Sequence, residues 1–201
     1  LYSVYHWLWS FFGALYYGFP SRKLYVVGVT GTKGKSTTVE LMSAMFESAG
    51  EKTAVMSSVT RKVGETRDRN MTGNTMPGRF AIQKFLRDAV RAKCTYAFIE
   101  VTSQGVLQHR HRFIDWNAAV FLNLAPEHIE SHGSFEKYRD AKVSFFSYVA
   151  DSHKRDRTFF VNTDDASADY FIDAVTHTYA NSVIRFSGNS FARDVLGEHL
   201  D

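Results

Sequence analysis

Residues 24–38 read LYVVGVTGTKGKSTT, and this stretch decides what kind of domain the chain forms. Leu24, Tyr25, Val26, Val27 and Val29 are apolar or aromatic and rich in β-branched types, the composition of a buried strand. A glycine-punctuated loop follows, Thr30-Gly31-Thr32-Lys33-Gly34. Lys35, Ser36 and a helix-compatible run from Thr37 to Ala49 come next, ending at Gly50. Strand, glycine loop, Lys-Ser and helix together make a phosphate cradle. Loop N–H groups and the positive end of the helix point at the phosphates. Residues Thr30, Gly31, Thr32, Lys33, Gly34, Lys35, Ser36 and Thr37 are its candidate lining. Lys35 would reach the β/γ-phosphates and the Ser36 hydroxyl would sit on Mg²⁺.

The spacing departs from G-x-x-x-x-G-K-[ST], which needs glycine where Val29 stands; it is the T-G-T-x-G-K-[ST] variant, with Gly31 making the early turn. A plain glycine turn between a strand and a helix is the alternative, and Lys-Ser at the correct point argues against it. ATP is favoured over GTP, because no convincing guanine-reading N-K-x-D occurs.

The bulk composition bounds the class. At 201 residues and 44% hydrophobic content, the chain can bury a real core. A net charge of +3 is too small to argue for nucleic acid, and none is expected as a partner. The single cysteine, Cys94, excludes an internal disulfide and a cysteine-rich zinc site, and it fits a reducing compartment. Its reading is a small buried residue rather than a nucleophile.

Residues 1–22 form a segment of their own. Leu1 to Phe19 has no Asp, Glu, Lys or Arg and is crowded with Tyr, Trp and Phe. Amphipathic rings prefer an interface or a protein groove to hydrocarbon. Three placements are open: a helix packed on its own or another domain, an interfacial membrane anchor, or a spanning segment. Pro20-Ser21 breaks the chain before the first strand.

Residues 23–201 alternate strand and helix patterns. Strands are expected at Lys52 to Ser57, Thr95 to Val101, Asn117 to Leu122, Arg157 to Val161 and Thr176 to Ala180. Thr60 to Arg69 reads as a hairpin or exposed loop, and Asn70 to Gly78 as turns. Helices are expected at Arg79 to Ala92, Ser103 to Leu107, Ser134 to Val149 and Asp165 to Val175. The fold class is therefore α/β, a mostly parallel sheet flanked by helices on both faces.

Ligands of such sheets bind beyond the carboxyl ends of the strands. Gly31–Ser36, Glu100 and Asn123–His128 each follow a strand, so all should converge on one edge. Glu100, ending an apolar strand, is a candidate Mg²⁺ ligand; the alternative is an edge carboxylate satisfied by local N–H groups. From chemistry alone His128 reads as a hydrogen-bonded loop histidine, and His132, His109 and His111 share that ambiguity.

Several stretches together resemble the Mur ligase family, in particular its central ATP-binding domain. They are TGTKGKSTT at 30–38, Asn74-Thr75-Met76-Pro77, Glu100-Val101-Thr102-Ser103, Gln108-His109-Arg110, Asn123-Leu124 with Glu127-His128, and His132-Gly133 leading to Tyr138 and Ala141-Lys142. Their order is similar to the branch that adds the third residue to the UDP-N-acetylmuramoyl peptide. The resemblance implies a cytoplasmic ATP- and Mg²⁺-dependent ligase. Its donor would be a UDP-N-acetylmuramoyl peptide and its acceptor an amino acid of the lysine or diaminopimelate class, joined through an acyl phosphate. Lys35, Lys142 and His128 carry over as catalytic residues, and Ser36, Glu100, His128 and Lys142 as the metal set. Lys142 matches a lysine carried as a carbamate; without the resemblance it reads as a helix-surface ammonium beside Asp140 or Glu136. Asn74, Thr75, Thr102, Ser103, Gln108 and Arg110 match positions that hold the peptide substrate. Met76 stands where the pattern has a second threonine, and Thr102 where it has serine. The family's further domains are not seen here, so the chain is expected to be part of a longer protein and not to ligate alone. The competing readings are a same-core ligase on another substrate, such as folate polyglutamylation or poly-amino-acid synthesis, and a non-ligase P-loop nucleotide-binding module.

Overall fold

The computed structural model describes residues 2–71, 74–127 and 133–188. An eight-stranded sheet runs through the domain in the order β4-β3-β2-β5-β1-β6-β7-β8. The strands are β1 (Tyr25–Thr30), β2 (Thr53–Met56), β3 (Thr60–Val63), β4 (Thr66–Arg69), β5 (Tyr96–Glu100), β6 (Ala118–Phe121), β7 (Thr158–Asn162) and β8 (Val183–Phe186). From β2 to β8 every neighbouring pair is parallel, and β3 and β4 add an antiparallel hairpin at one edge. The helices are α1 (Tyr2–Tyr17), α2 (Lys35–Ser48), α3 (Arg79–Arg91), α4 (Ser103–Leu107), α5 (Phe135–Ala150) and α6 (Ala168–Tyr179).

Alternation along β1 divides the core. Val27 and Val29 join Val39 of α2, Val55, Phe98 and Val120 on one face. Val26 faces the larger cluster with Ile99, Phe121 and the apolar sides of α3, α5 and α6. Burial on both faces is why these strands read as continuous apolar runs. Gly28 is where α5 comes closest to the sheet: a Cβ there would lie 2.3 Å from Cζ of Phe145.

The sequence expectation for the end of the chain is corrected. Residues 176–179 continue α6, and the strand is Val183–Phe186. Phe171, Ile172 and Val175 recur at helical spacing and are buried, so tertiary burial overrides the β-branched pair at 175–176. The same helix starts at Ala168, later than Asp165. Asp165 serves the preceding turn instead, accepting from the N–H groups of Leu124 at 2.7 Å and Ser167 at 2.8 Å.

Helix α1 packs on this domain, against α3 and the segment after α4. Trp9 meets Phe80 with ring centroids 5.4 Å apart, and Trp7 meets Phe113 at 5.1 Å. No helix among the described residues is long and apolar enough to cross a membrane. Cys94 is buried, with Sγ 3.3 Å from the Thr53 carbonyl, as a small core residue should be.

His111 is buried between Tyr148 and Phe145, and its Nδ1 has no hydrogen-bond partner among the described residues. Burial, with the Arg112 and His109 charges acting the same way, pushes its pKa down to about 3 from 6.5. Between those values the unfolded chain holds a proton that the folded chain refuses, so stability falls as pH falls through that window, by at most roughly 1.4 kcal/mol per pH unit. His111→Phe should therefore flatten the loss of stability between neutral pH and about pH 4, read as denaturant midpoints at each pH.

Candidate active site

The sheet order makes β1 and β6 neighbours whose following segments leave in different directions. The segment after β1 enters α2, and that after β6 runs toward α5. A crevice opens at such a switch point. The loop after β1 is held there by Asn123. Its Oδ1 accepts from the N–H groups of Thr32 at 3.1 Å and Lys33 at 2.9 Å, and its Nδ2 donates to the Lys33 carbonyl at 3.1 Å. Thr32 Oγ1 accepts from Ala125 N–H at 2.9 Å and lies 3.2 Å from the Tyr138 hydroxyl. Gly34, with φ 83°, turns the chain into α2 in a conformation that a side chain would strain.

A cleft of about 580 Å³ lies beyond this edge. Gly31, Thr32, Lys33, Gly34, Lys35, Ser36 and Thr37 line it, together with Glu100 from the end of β5 and Lys142 from α5. The convergence expected from three strand ends is therefore observed for the first two, while Asn123 acts behind the loop as its clamp. Thr30 departs from the expectation. It is fully buried beneath the loop and does not line the cleft.

Two ammonium groups share one carbonyl. Lys35 Nζ donates to Gly31 O at 3.1 Å and Thr32 O at 2.8 Å, and Lys142 Nζ donates to Gly31 O at 2.8 Å. Lys142 is 2% exposed and sits 4.7 Å from the centre of the Tyr138 ring. The surface-ammonium reading is thereby corrected. Asp140 pairs with Arg139, and Lys142 points into the domain because Ala141, Phe145 and Val149 put that face of α5 against the core. Burial, with the Lys35 charge beside it, pushes the Lys142 pKa down to about 7, so much of this amine is neutral and nucleophilic at neutral pH. Burial also lowers Lys35, against the pull of Glu100 and Glu127.

Glu100 is 1% exposed. Its Oε1 accepts from Ser58 N–H at 3.1 Å, and the Ser58 hydroxyl lies 2.9 Å from that of Ser36. Burial raises its pKa, and the bonds from Ser36 and Ser58 work the other way. Both readings of Glu100 thus hold at once: it is satisfied by a local N–H and it faces the cleft. No local sequence signal marks Ser58 as a site residue. It sits just after β2, and only the pairing of β2 with β5 brings it to Glu100.

Opposite the loop, Asn74, Thr75, Thr102, Ser103, Gln108 and Arg110 line the other wall of the cleft. Thr102 also caps α4, its Oγ1 accepting from Gly105 N–H at 3.1 Å. Met76 is buried against Gly105, which explains how an apolar side chain is accommodated there. His109 bonds outside the cleft and His111 is a core residue, so neither is part of the site. His128 and His132 lie outside the described residues.

The strand–glycine loop–helix unit, the six parallel strands and the lysine- and carboxylate-lined cleft define a P-loop α/β domain. The profile of the Mur ligase middle domain matches residues 29–200, and the chain belongs to that family. A UDP-N-acetylmuramoyl-L-alanyl-D-glutamate--2,6-diaminopimelate ligase of Syntrophomonas wolfei subsp. wolfei is 37% identical over 163 residues, covering 81% of this chain and 32% of the relative. The UDP-N-acetylmuramyl-tripeptide synthetase of Roseiflexus sp. is 37% identical over 169 residues, covering 80% and 33%. This chain thus spans about a third of the length of these curated relatives. A solved diaminopimelate ligase of the first kind superposes with TM-score 0.70 at 29% identity, over 82% of this chain and 32% of the other. A Mycobacterium tuberculosis folylpolyglutamate synthase complexed with ADP and AMPPCP superposes with TM-score 0.63 at 14% identity, over 89% and 46%, a likeness of fold.

Asn123→Ala removes the side-chain acceptor of the Lys33 N–H, while the Thr32 N–H keeps the Asn123 main-chain carbonyl at 2.9 Å. Amide exchange at Lys33 should accelerate by about tenfold or more, with the central strands unchanged.

Proposed function

We propose that this chain is the ATP-binding domain of a ligase that joins an amino acid to a UDP-N-acetylmuramoyl peptide, residues 23–201 forming that domain and residues 1–22 an appended helical segment. One observation carries the reading: the glycine loop, Glu100, the buried Lys142 and the Gln108–Arg110 wall face one cleft. The relatives named for diaminopimelate favour that acceptor over lysine. The compartment proposed is the cytoplasm, where ATP is supplied.

The N–H groups of residues 34–37 and the Lys35 ammonium take the phosphates, with the N-terminus of α2 behind them, while the Thr32 and Lys33 N–H groups stay on Asn123. Lys35 is held on loop carbonyls here, and phosphate oxygens are stronger acceptors for it. The donor's carboxylate oxygen attacks the γ-phosphorus, and the bond to the β-phosphate oxygen breaks to release ADP. The amino acid's nitrogen then attacks the acyl carbon, phosphate leaves and the nitrogen loses its proton. Asn74, Thr75, Thr102, Ser103 and Gln108 position the donor, and the Arg110 fork suits its anionic groups.

The donor set fits Mg²⁺. Ser36 and Glu100 offer hard oxygen ligands on one wall of the cleft, and an ion of this kind needs few carboxylates when phosphates supply the rest. Ser36 and Glu100 would hold it, with His128 as the remaining ligand carried over from the resemblance. Bound there, Mg²⁺ supplies charge neutralisation of the phosphates. Lys142 joins that set only as a carbamate. The neutral amine adds to CO₂, forming an N–C bond and releasing a proton, and an anionic oxygen replaces an ammonium that no cation would tolerate.

The test is phosphate release by the complete protein with UDP-muramoyl dipeptide, with and without diaminopimelate or lysine, and Lys35→Ala as control. Release that requires the dipeptide and one amino acid supports the ligase and names its acceptor. Nucleotide binding without substrate-dependent turnover would point to another donor. Lys142→Ala should abolish turnover, and a short carboxylic acid should partly restore it; full activity in that variant would remove Lys142 from the mechanism.

A further inference from the structure

The segment between α4 and β6 holds two non-glycine residues in the left-handed region, His109 at φ 56° and Phe113 at φ 58°. Such a conformation is strained for a residue with a side chain and persists where its surroundings over-determine it. Phe113 is held by α3 and α5, its N–H donating to the Tyr148 hydroxyl at 2.8 Å and its carbonyl accepting from Gln83 Nε2 at 3.2 Å, and α1 adds contacts of its own. Ser3 Oγ lies 2.8 Å from His109 Nε2, and Ser10 Oγ donates to the His109 carbonyl at 2.7 Å. Trp7 and Phe11, stacked on each other, both meet the Phe113 ring edge-on, with centroids at 5.1 and 5.4 Å.

A third polar contact runs through α3. His6 is 6% exposed, and its Nδ1 pairs with the guanidinium of Arg79. Arg79 Nε donates to the Gln108 carbonyl at 3.1 Å. Burial, with the Arg79 and Arg110 charges, lowers the His6 pKa, so the imidazole is neutral and Nδ1 is an acceptor. The chain of contacts ends in the cleft. Gln108 Oε1 accepts from Arg110 Nε at 3.0 Å and Nη2 at 2.6 Å, and Arg110 Nη1 donates to the Met76 carbonyl. Gln108 and Arg110 both line the cleft. Ser3, His6 and Ser10 stand at helical spacing, one polar stripe on a helix with no charged residue.

We propose that α1 is a positioning element of the site: Ser3, His6 and Ser10 hold residues 108–113 in their left-handed turns and thereby aim Gln108 and Arg110 at the acyl donor. The second half rests on the function proposed above. A helix that merely covered apolar surface would place rings against Phe80 and Phe113 without two direct polar contacts to His109 and a third relayed to Gln108 through Arg79. The carbonyls of two successive residues, Gln108 and His109, are both captured, which leaves the backbone before Arg110 little freedom.

The experiment compares His6→Leu, His6→Asn and Ser10→Ala in the complete protein. Amide exchange across 108–113 and the KM values for the muramoyl dipeptide and for ATP are measured. His6→Leu and Ser10→Ala should each speed exchange of those amides about tenfold, with β1 and β5 unchanged. The dipeptide KM should rise several-fold while the ATP KM holds. His6→Asn should restore both, since its Oδ1 stands near the place of Nδ1 and accepts the Arg79 proton. If His6→Leu does not fold, Ser10→Ala carries the comparison alone. Unchanged exchange in the folded variants overturns the proposal. Arg110→Ala separates its failure from that of the donor site. If that variant raises the dipeptide KM while freed exchange in Ser10→Ala does not, the aiming role is overturned. If Arg110→Ala leaves the dipeptide KM unchanged, the donor-site reading is what fails.

Discussion

The carbonyl of Gly31 accepts from two ammonium groups, and the site is organised around that point. Lys35 reaches it from the first turn of α2 and Lys142 from across the sheet on α5. Two cations are brought together only because the loop backbone lies between them as an acceptor, and because burial lowers the charge that each carries. The loop must therefore hold still. Asn123 arranges this with a side chain that mimics a strand partner, taking two N–H groups and giving one back. Thr32 adds a second tie, its Oγ1 accepting from the Ala125 N–H beside the Tyr138 hydroxyl.

The same economy of support recurs on the other wall. Thr102 caps α4, Gly105 makes room for Met76, and the Met76 carbonyl takes a guanidinium proton of Arg110. The backbone between α4 and β6 closes turns of its own and takes further contacts from α1, α3 and α5. Residues 2–17, which the composition leaves open to membrane or protein, are bound to the domain through rings and through a polar stripe. Their outward side still carries exposed aromatic residues, among them Tyr5, Trp9, Phe12 and Tyr16.

Much of this was legible beforehand because the signals are local. A β-branched run, a glycine loop and Lys-Ser specify strand, turn and helix within fifteen residues, and the alternation of strand and helix patterns specifies a parallel sheet. The strand misplaced at 176–180 shows the limit. A short β-branched run has no local feature that separates it from the end of a buried helix, and the packing of Phe171 and Val175 decides. Asp165 has the composition of a helix start, yet it is drawn to the Leu124 N–H, forty-one positions away in sequence.

By itself, then, the sequence determined the phosphate-cradle unit, the α/β class and the strand ends that carry polar groups, because each depends on neighbours within a turn or a pleat. Only the tertiary structure decided that Lys142 is buried, that Ser58 meets Glu100, that Thr30 lies beneath the loop and that α1 clamps residues 108–113. Those facts depend on which helix face meets which strand. Summed burial over the whole sheet decides that, and no short stretch of residues encodes it.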